Sequence, residues 1–138
     1  MKLASLPALV FLMAAMFLFN ACSNTTANLT GEWKLVSFGD AAAPTPALPG
    51  VDTSIAFEEG QFGGTVGCNT FGGDYQMNGD QMSIGSVFST MMFCDQTSSQ
   101  ESAVLAILSD KTLTATQSGN LLTLSSADGK SIVILEKK

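Results

Sequence analysis

Histidine and arginine are both missing from the 138 residues of this chain. Without histidine, the general base of Ser-His-Asp and Cys-His arrangements is gone. The commonest zinc ligand goes with it, and at most two free thiols cannot replace it, so no ordinary zinc or haem site is expected. Positive charge is also scarce. Six lysines face twelve acids, a formal net charge of −6. That excludes the basic footprint of a nucleic-acid binder and a surface that hugs anionic headgroups. The acids are scattered along the chain, so no acidic tail exists. The plain reading of the charge is solubility.

Glycine is plentiful but wrongly spaced for phosphate chemistry. Gly60, Gly63, Gly64, Gly67, Gly72 and Gly73 do not follow the dinucleotide fingerprint, and no lysine stands where a phosphate loop needs one. The run Asp95 to Glu101 lacks the glycine and the spacing of a calcium loop. Glu58, Glu59, Asp74, Asp80 and Asp95 could pair for acid–base work, but any two acids in so acidic a domain could do so. Cys68 has no cationic sequence neighbour to lower its pKa. No catalytic residue, metal site or cofactor is expected.

What is present first gives an address. "MKLASLPALVFLMAAMFLFNAC" opens with Lys2, continues uncharged to Phe19 and closes on Asn20-Ala21-Cys22. That is the three-part layout of an export signal. Its apolar run is short for a spanning helix, which needs roughly 20 residues. The box Leu18-Phe19-Asn20-Ala21-Cys22 resembles a bacterial lipoprotein processing site, with Phe19 bulkier than is usual there. The resemblance implies a signal peptide over residues 1–21, cleavage before Cys22, and lipid on that residue. The chain would then be held at the membrane of the bacterial cell envelope, facing the periplasm or the outer surface. Residues 22–30 read as the lipidated cysteine and a polar tether. Asn24 and Asn28 sit in glycosylation-like triplets that match by chance in such a context.

With Cys22 set aside for lipid, Cys68 and Cys94 remain as an even pair in an oxidising compartment. A bridge between them closes a loop of about 27 residues, for which chain entropy gives about 3.5 kcal/mol. Two separate buried thiols are the alternative.

Period-2 alternation marks strands at Gly31–Phe38, Thr53–Glu59, Gln61–Cys68, and on both sides of Asn78-Gly79-Asp80. In the first, Trp33 and Leu35 should share one face, and Val36 and Phe38 the other. The proline-rich stretch Gly39–Gly50 forbids regular structure. Ser98 followed by Glu101 is a capping-box pattern, and Ala103, Val104, Ile107 and Leu108 fall at helical spacing, with Leu105 beside them. Three close strands follow, at Thr112–Thr116, Leu121–Ser126 and Ser131–Glu136. About eight strands and one short helix point to a mainly β (α+β) fold, an antiparallel sheet closed or strongly curled.

"GEWKL" at Gly31, "GCNTFGGDY" at Gly67, "MSIG" at Met82 and "STMMFC" at Ser89 occur in that order. Together they resemble the META domain family of HslJ-type bacterial envelope proteins, over residues 31–136. The resemblance implies a short antiparallel barrel with helical packing, in a family without a settled molecular activity. Relatives are linked to heat-shock response, antibiotic tolerance or secretion. The motif positions here are Gly67, Cys68, Asn69, Phe71, Gly73, Met92 and Cys94. Many relatives carry a basic residue where Met91 stands, so a partner that reads that charge would not be shared.

The glycine-rich motif reads as fold-making. Asn69 holds a turn, Gly67 and Gly73 permit a bend, and Cys68 staples it. Trp33, Met91 and Phe93 are the candidate contact surface, with core packing the competing reading for Trp33 and Met91. The functional expectation is an envelope lipoprotein domain that contacts another envelope protein or supports envelope integrity under stress. The alternatives are a carrier holding a small apolar ligand in the barrel mouth, and, least favoured, an enzyme.

Overall fold

The computed structural model describes residues 26–109 and 112–138. The signal segment, Cys22 and the start of the tether lie outside them. Among the described residues no helix is long and apolar enough to cross a membrane.

Among the described residues, nine strands and one helix follow in chain order. They are β1 (Gly31–Asp40), β2 (Thr45–Pro46), β3 (Ser54–Glu58), β4 (Gln61–Thr65), β5 (Thr70–Asn78), β6 (Gln81–Ser89), α1 (Ser98–Leu108), β7 (Thr112–Ser118), β8 (Leu121–Ser126) and β9 (Ser131–Lys137). Every pairing is antiparallel. β1 pairs with β3, each later strand pairs with the next, and β9 returns to β1. Eight strands therefore close into an up-and-down barrel. Closure removes most of the exposed edge that an open sheet would leave. The short β2 adds to β1 through Phe38 and Ser37, so two residues of the proline-rich connection do pair.

Two bulges shape the barrel. Leu35 pairs with Leu135 but Ser37 pairs with Ile134, so Val36 is the extra residue. The side-chain phase inverts there. Trp33, Leu35 and Phe38 are all buried, while Val36 is exposed. Unbroken alternation would have sent Phe38 to the same face as Val36. In β6, Gly85 and Ser86 together oppose Asp74, between the pairs Tyr75–Ile84 and Gly73–Val87.

The interior is filled. Trp33, Ile55, Phe57, Phe71, Met82, Leu113, Leu122, Leu124 and Leu135 are fully buried. Phe57, Phe62, Phe71 and Tyr75 form an aromatic cluster with ring centroids 5.8–6.4 Å apart. The Tyr75 hydroxyl, the cluster's polar end, donates to the Glu58 carbonyl at 2.8 Å.

Both ends are covered. At one end Ala27 and Leu29 are buried, and the Trp33 indole N–H donates to the Leu29 carbonyl at 2.7 Å. Ala27 and Leu29 both lie within the stretch expected as tether, and their apolar side chains are drawn into the core. At the other end α1 buries Val104, Ile107 and Leu108 against the barrel, packing on β1 and β9. Its Gln100 is buried as well. Gln100 Nε2 donates to the Val66 carbonyl at 2.5 Å, and Gln100 Oε1 accepts from the Leu48 N–H at 2.8 Å. One side chain thus ties the helix to two connections at that end.

Candidate functional site

The motif residues meet where α1 begins. The capping-box pattern placed the N-cap at Ser98. The helix instead has its N-cap at Thr97, which makes no side-chain cap bond. The Thr97 hydroxyl donates to Glu101 Oε1 at 2.5 Å. Glu101 thus still meets the N-cap residue, through its hydroxyl. Its carboxylate turns into the loop between β4 and β5.

There Glu101 Oε1 accepts the Cys68 N–H at 2.8 Å. Oε2 accepts the Asn69 N–H at 3.1 Å and Asn69 Nδ2 at 2.7 Å. Glu101 is 5% exposed, and its donors Cys68 and Asn69 are half-buried. Burial works against its charged form. The bonds from Thr97, Cys68 and Asn69 outweigh that and hold its pKa below the usual carboxylate value. Both of its oxygens are already bonded, so Glu101 serves here as a structural acceptor.

Gly67 makes room for that carboxylate. A Cβ at Gly67 would collide with the Glu101 carboxylate itself. Its φ is not in the left-handed region, and neither is that of Gly73. Gly67 lies in the bend over residues 66–69 and Gly73 within β5, and both are places of close approach. At Gly73 a Cβ would press on the Ser86 carbonyl at 2.9 Å and on the Phe62 ring. Phe71, between them in the motif, is buried in the aromatic cluster.

Asn69 passes the connection onward. Its Oδ1 accepts the Met92 N–H at 2.7 Å and the Thr90 hydroxyl at 2.8 Å. Its Nδ2 also donates to the Met92 carbonyl at 2.9 Å. The side-chain amide thus copies a strand partner for Met92. Two residues on, Cys94 is bridged to Cys68, with Cα atoms 6.4 Å apart. The expected bridge is present, and it closes the same junction.

The consequence is a short strap, Thr90–Cys94, fixed by its backbone with its apolar side chains left outside. Met91 is 97% exposed, Phe93 86% and Met92 59%, and nearby Phe88 is 69% exposed. Met91 and Phe93 are therefore surface residues. Trp33 is not part of this surface. It is fully buried, bonded to Leu29, with the Lys137 ammonium 4.7 Å from its ring centroid. A tryptophan on the inward phase of a barrel strand fills the core, and its N–H finds a carbonyl there. Between the strap and α1 lies an open groove of about 370 Å³, lined by Asn69, Thr90, Met91, Phe93, Ser102 and Leu105 among others.

The sequence reading missed Glu101 as the hub, and Gln100, Phe88 and Leu105 as parts of the surrounding surface and helix contacts. A signal existed for the first two. Gln100 and Glu101 precede Val104 and Leu108 at the three- and four-residue spacing of the buried stripe. Among the described residues no group of three or more Cys, Asp or Glu is placed to hold a metal ion.

The fold and this carboxylate-centred, disulfide-closed junction define a small eight-stranded antiparallel barrel domain with a helix over one end. Residues 27–138 match the META domain family, and the chain belongs to that family. Two solved structures share the fold. One is an NMR structure of a protein from Burkholderia xenovorans, 18% identical, covering 99% of this chain and 94% of that one, with a TM-score of 0.66. The other is a crystal structure of a DUF4847 family protein from Bacteroides vulgatus, 17% identical, covering 80% of this chain and 94% of that one, with a TM-score of 0.60. A comparison with curated proteins finds no match.

Proposed function

We propose that this chain is a non-catalytic lipoprotein domain of the bacterial cell envelope. It is anchored through lipid on Cys22 and works under stress by contacting another envelope protein. The observation that carries this reading is the solvent exposure of Met91, Met92 and Phe93 on a pinned strap. An exposed apolar cluster costs solubility and marks an interaction surface. Here all three residues belong to a segment held by a disulfide and an asparagine bridge. Their exposure is built into the fold. The saturated Glu101 carboxylate and the lack of histidine favour binding over catalysis. The filled interior and covered ends favour protein contact over carriage of a ligand inside the barrel.

The test uses full-length protein in its native membranes, with a photo-crosslinking residue in place of Met91. The expected result is an adduct with a distinct envelope protein, and an intact mass showing lipid on a chain that begins at Cys22. Crosslinking only to water and lipid, or a chain still beginning at Met1, would remove the reading.

A further inference from the structure

β6 loses its neighbour halfway along. Among the described residues, its pairing with β7 covers Gln81, Met82 and Ser83. Its pairing with β5 continues to Ser89. The bulge at Gly85–Ser86 lies just past the point of separation. A bulge bends its strand and increases its twist, which carries the rest of β6 away from β7. Beyond it, Val87–Thr90 is hydrogen-bonded on the β5 side alone among the described residues.

The direction of the open groups follows from one bond. The Thr90 N–H donates inward to the Thr70 carbonyl at 2.9 Å. Antiparallel alternation then turns the N–H and C=O of Ser89 and Val87 away from β5. The segment Val87–Thr90 holds no charged residue and no proline, the usual guards of an exposed edge. The groove between the strap and α1 begins at Ser89 and Thr90 and is bordered across by Ser98, Ser102 and Leu105. An open strand edge and the exposed apolar side chains of Met91, Met92 and Phe93 thus border one surface.

We propose that this surface takes up an extended segment of the partner protein as an added β-strand, seated along Val87–Thr90 and covered on its far side by α1. This rests on the protein-contact reading above and specifies the chemistry of the contact. Backbone groups aimed outward in a row are matched by another extended backbone, and the apolar strap would read alternate side chains of that strand. Among the described groove-lining residues the one charged group is the Glu101 carboxylate, and there is no lysine. The segment should therefore be apolar at alternate positions and neutral or basic between them.

Two measurements test the proposal. In the isolated protein, the Val87 and Ser89 amides should exchange with solvent at least tenfold faster than those of Phe88 and Thr90. Equal protection of all four would overturn it, since the edge would already be satisfied. In native membranes, crosslinkers placed singly at Met91 and at Ser102 should label the same short segment of one partner. Ser89→Pro removes an outward N–H and should cut both yields at least tenfold with an unchanged melting temperature. If Ser89→Pro does not fold, Ser89→Lys, which guards the edge and keeps every backbone bond, should give the same loss. Labelling from Met91 that persists in these variants, with none from Ser102, leaves protein contact standing and overturns strand addition. Labelling of a second copy of this chain overturns the partner assignment. No labelling from either position removes both readings.

Discussion

Glu101 Oε2 accepts two bonds from Asn69, one from its backbone N–H at 3.1 Å and one from its side-chain Nδ2 at 2.7 Å. A helix residue thereby holds a loop residue that in turn holds the strap through Met92. Glu101→Ala leaves the Cys68 and Asn69 donors without an acceptor. Leaving buried donors unsatisfied costs about 1–3 kcal/mol each, less what water recovers, so a loss of about 3 kcal/mol is expected. Urea unfolding of the variant measures it, and an unchanged midpoint would contradict this account. Gly67→Ala should displace the same carboxylate. Its effect should shrink when Glu101 is already alanine, as a double-mutant cycle would record.

The same carboxylate gives a pH dependence with a definite sign. Its pKa is lowered in the fold, the four hydrogen bonds outweighing burial. A lowered pKa means that the stabilisation is complete above the unfolded value of about 4.3. It is lost as pH falls through the lower folded value. Wild type and Glu101→Gln should therefore converge in stability on acidification, below about pH 4. Parallel stability curves from pH 7 to pH 2.5 would show that Glu101 does not titrate in this way.

Cys68 and Cys94 should be unreactive to thiol reagents in unfolded, unreduced protein. Cys94→Ala should lower stability by about 2–5 kcal/mol, the usual cost of losing such a bridge. It should also loosen the strap, which amide exchange at Met92 would report. Full labelling of both thiols in protein taken from its native compartment would remove the bridge from the account.

Met91→Lys and Trp33→Ala should part company in a thermal melt. Met91 is 97% exposed, so a lysine there stays solvated and stability should shift by less than about 0.5 kcal/mol. Trp33 is fully buried, and truncation should cost about 3–5 kcal/mol. Reversed outcomes would mean that the strap, and not the barrel wall, carries the packing.

The antiparallel barrel, its helix and its cysteine pair were legible from residue order. Alternation over Ser54–Glu58 and Leu121–Ser126, and the turn after Asn78, are local signals read directly from side-chain type. The bulge at Val36 was not legible, because nothing in "KLVSF" marks an unpaired residue. It exists only when β9 lies alongside, and it decides that Phe38 goes inside. Met91 and Trp33, both candidates for the contact surface, part for a related reason. Apolar character in a sequence reports a preference for burial, and the fold decides which residues have room to satisfy it. The barrel phase encloses Trp33, whereas the bonds from Asn69 and Cys68 fix the strap where Met91 has no neighbour to bury it. Glu101 shows the limit most clearly. Its identity and helical position are local facts. Its task depends on a loop more than thirty residues earlier, brought within 2.8 Å only when the barrel closes beneath the helix.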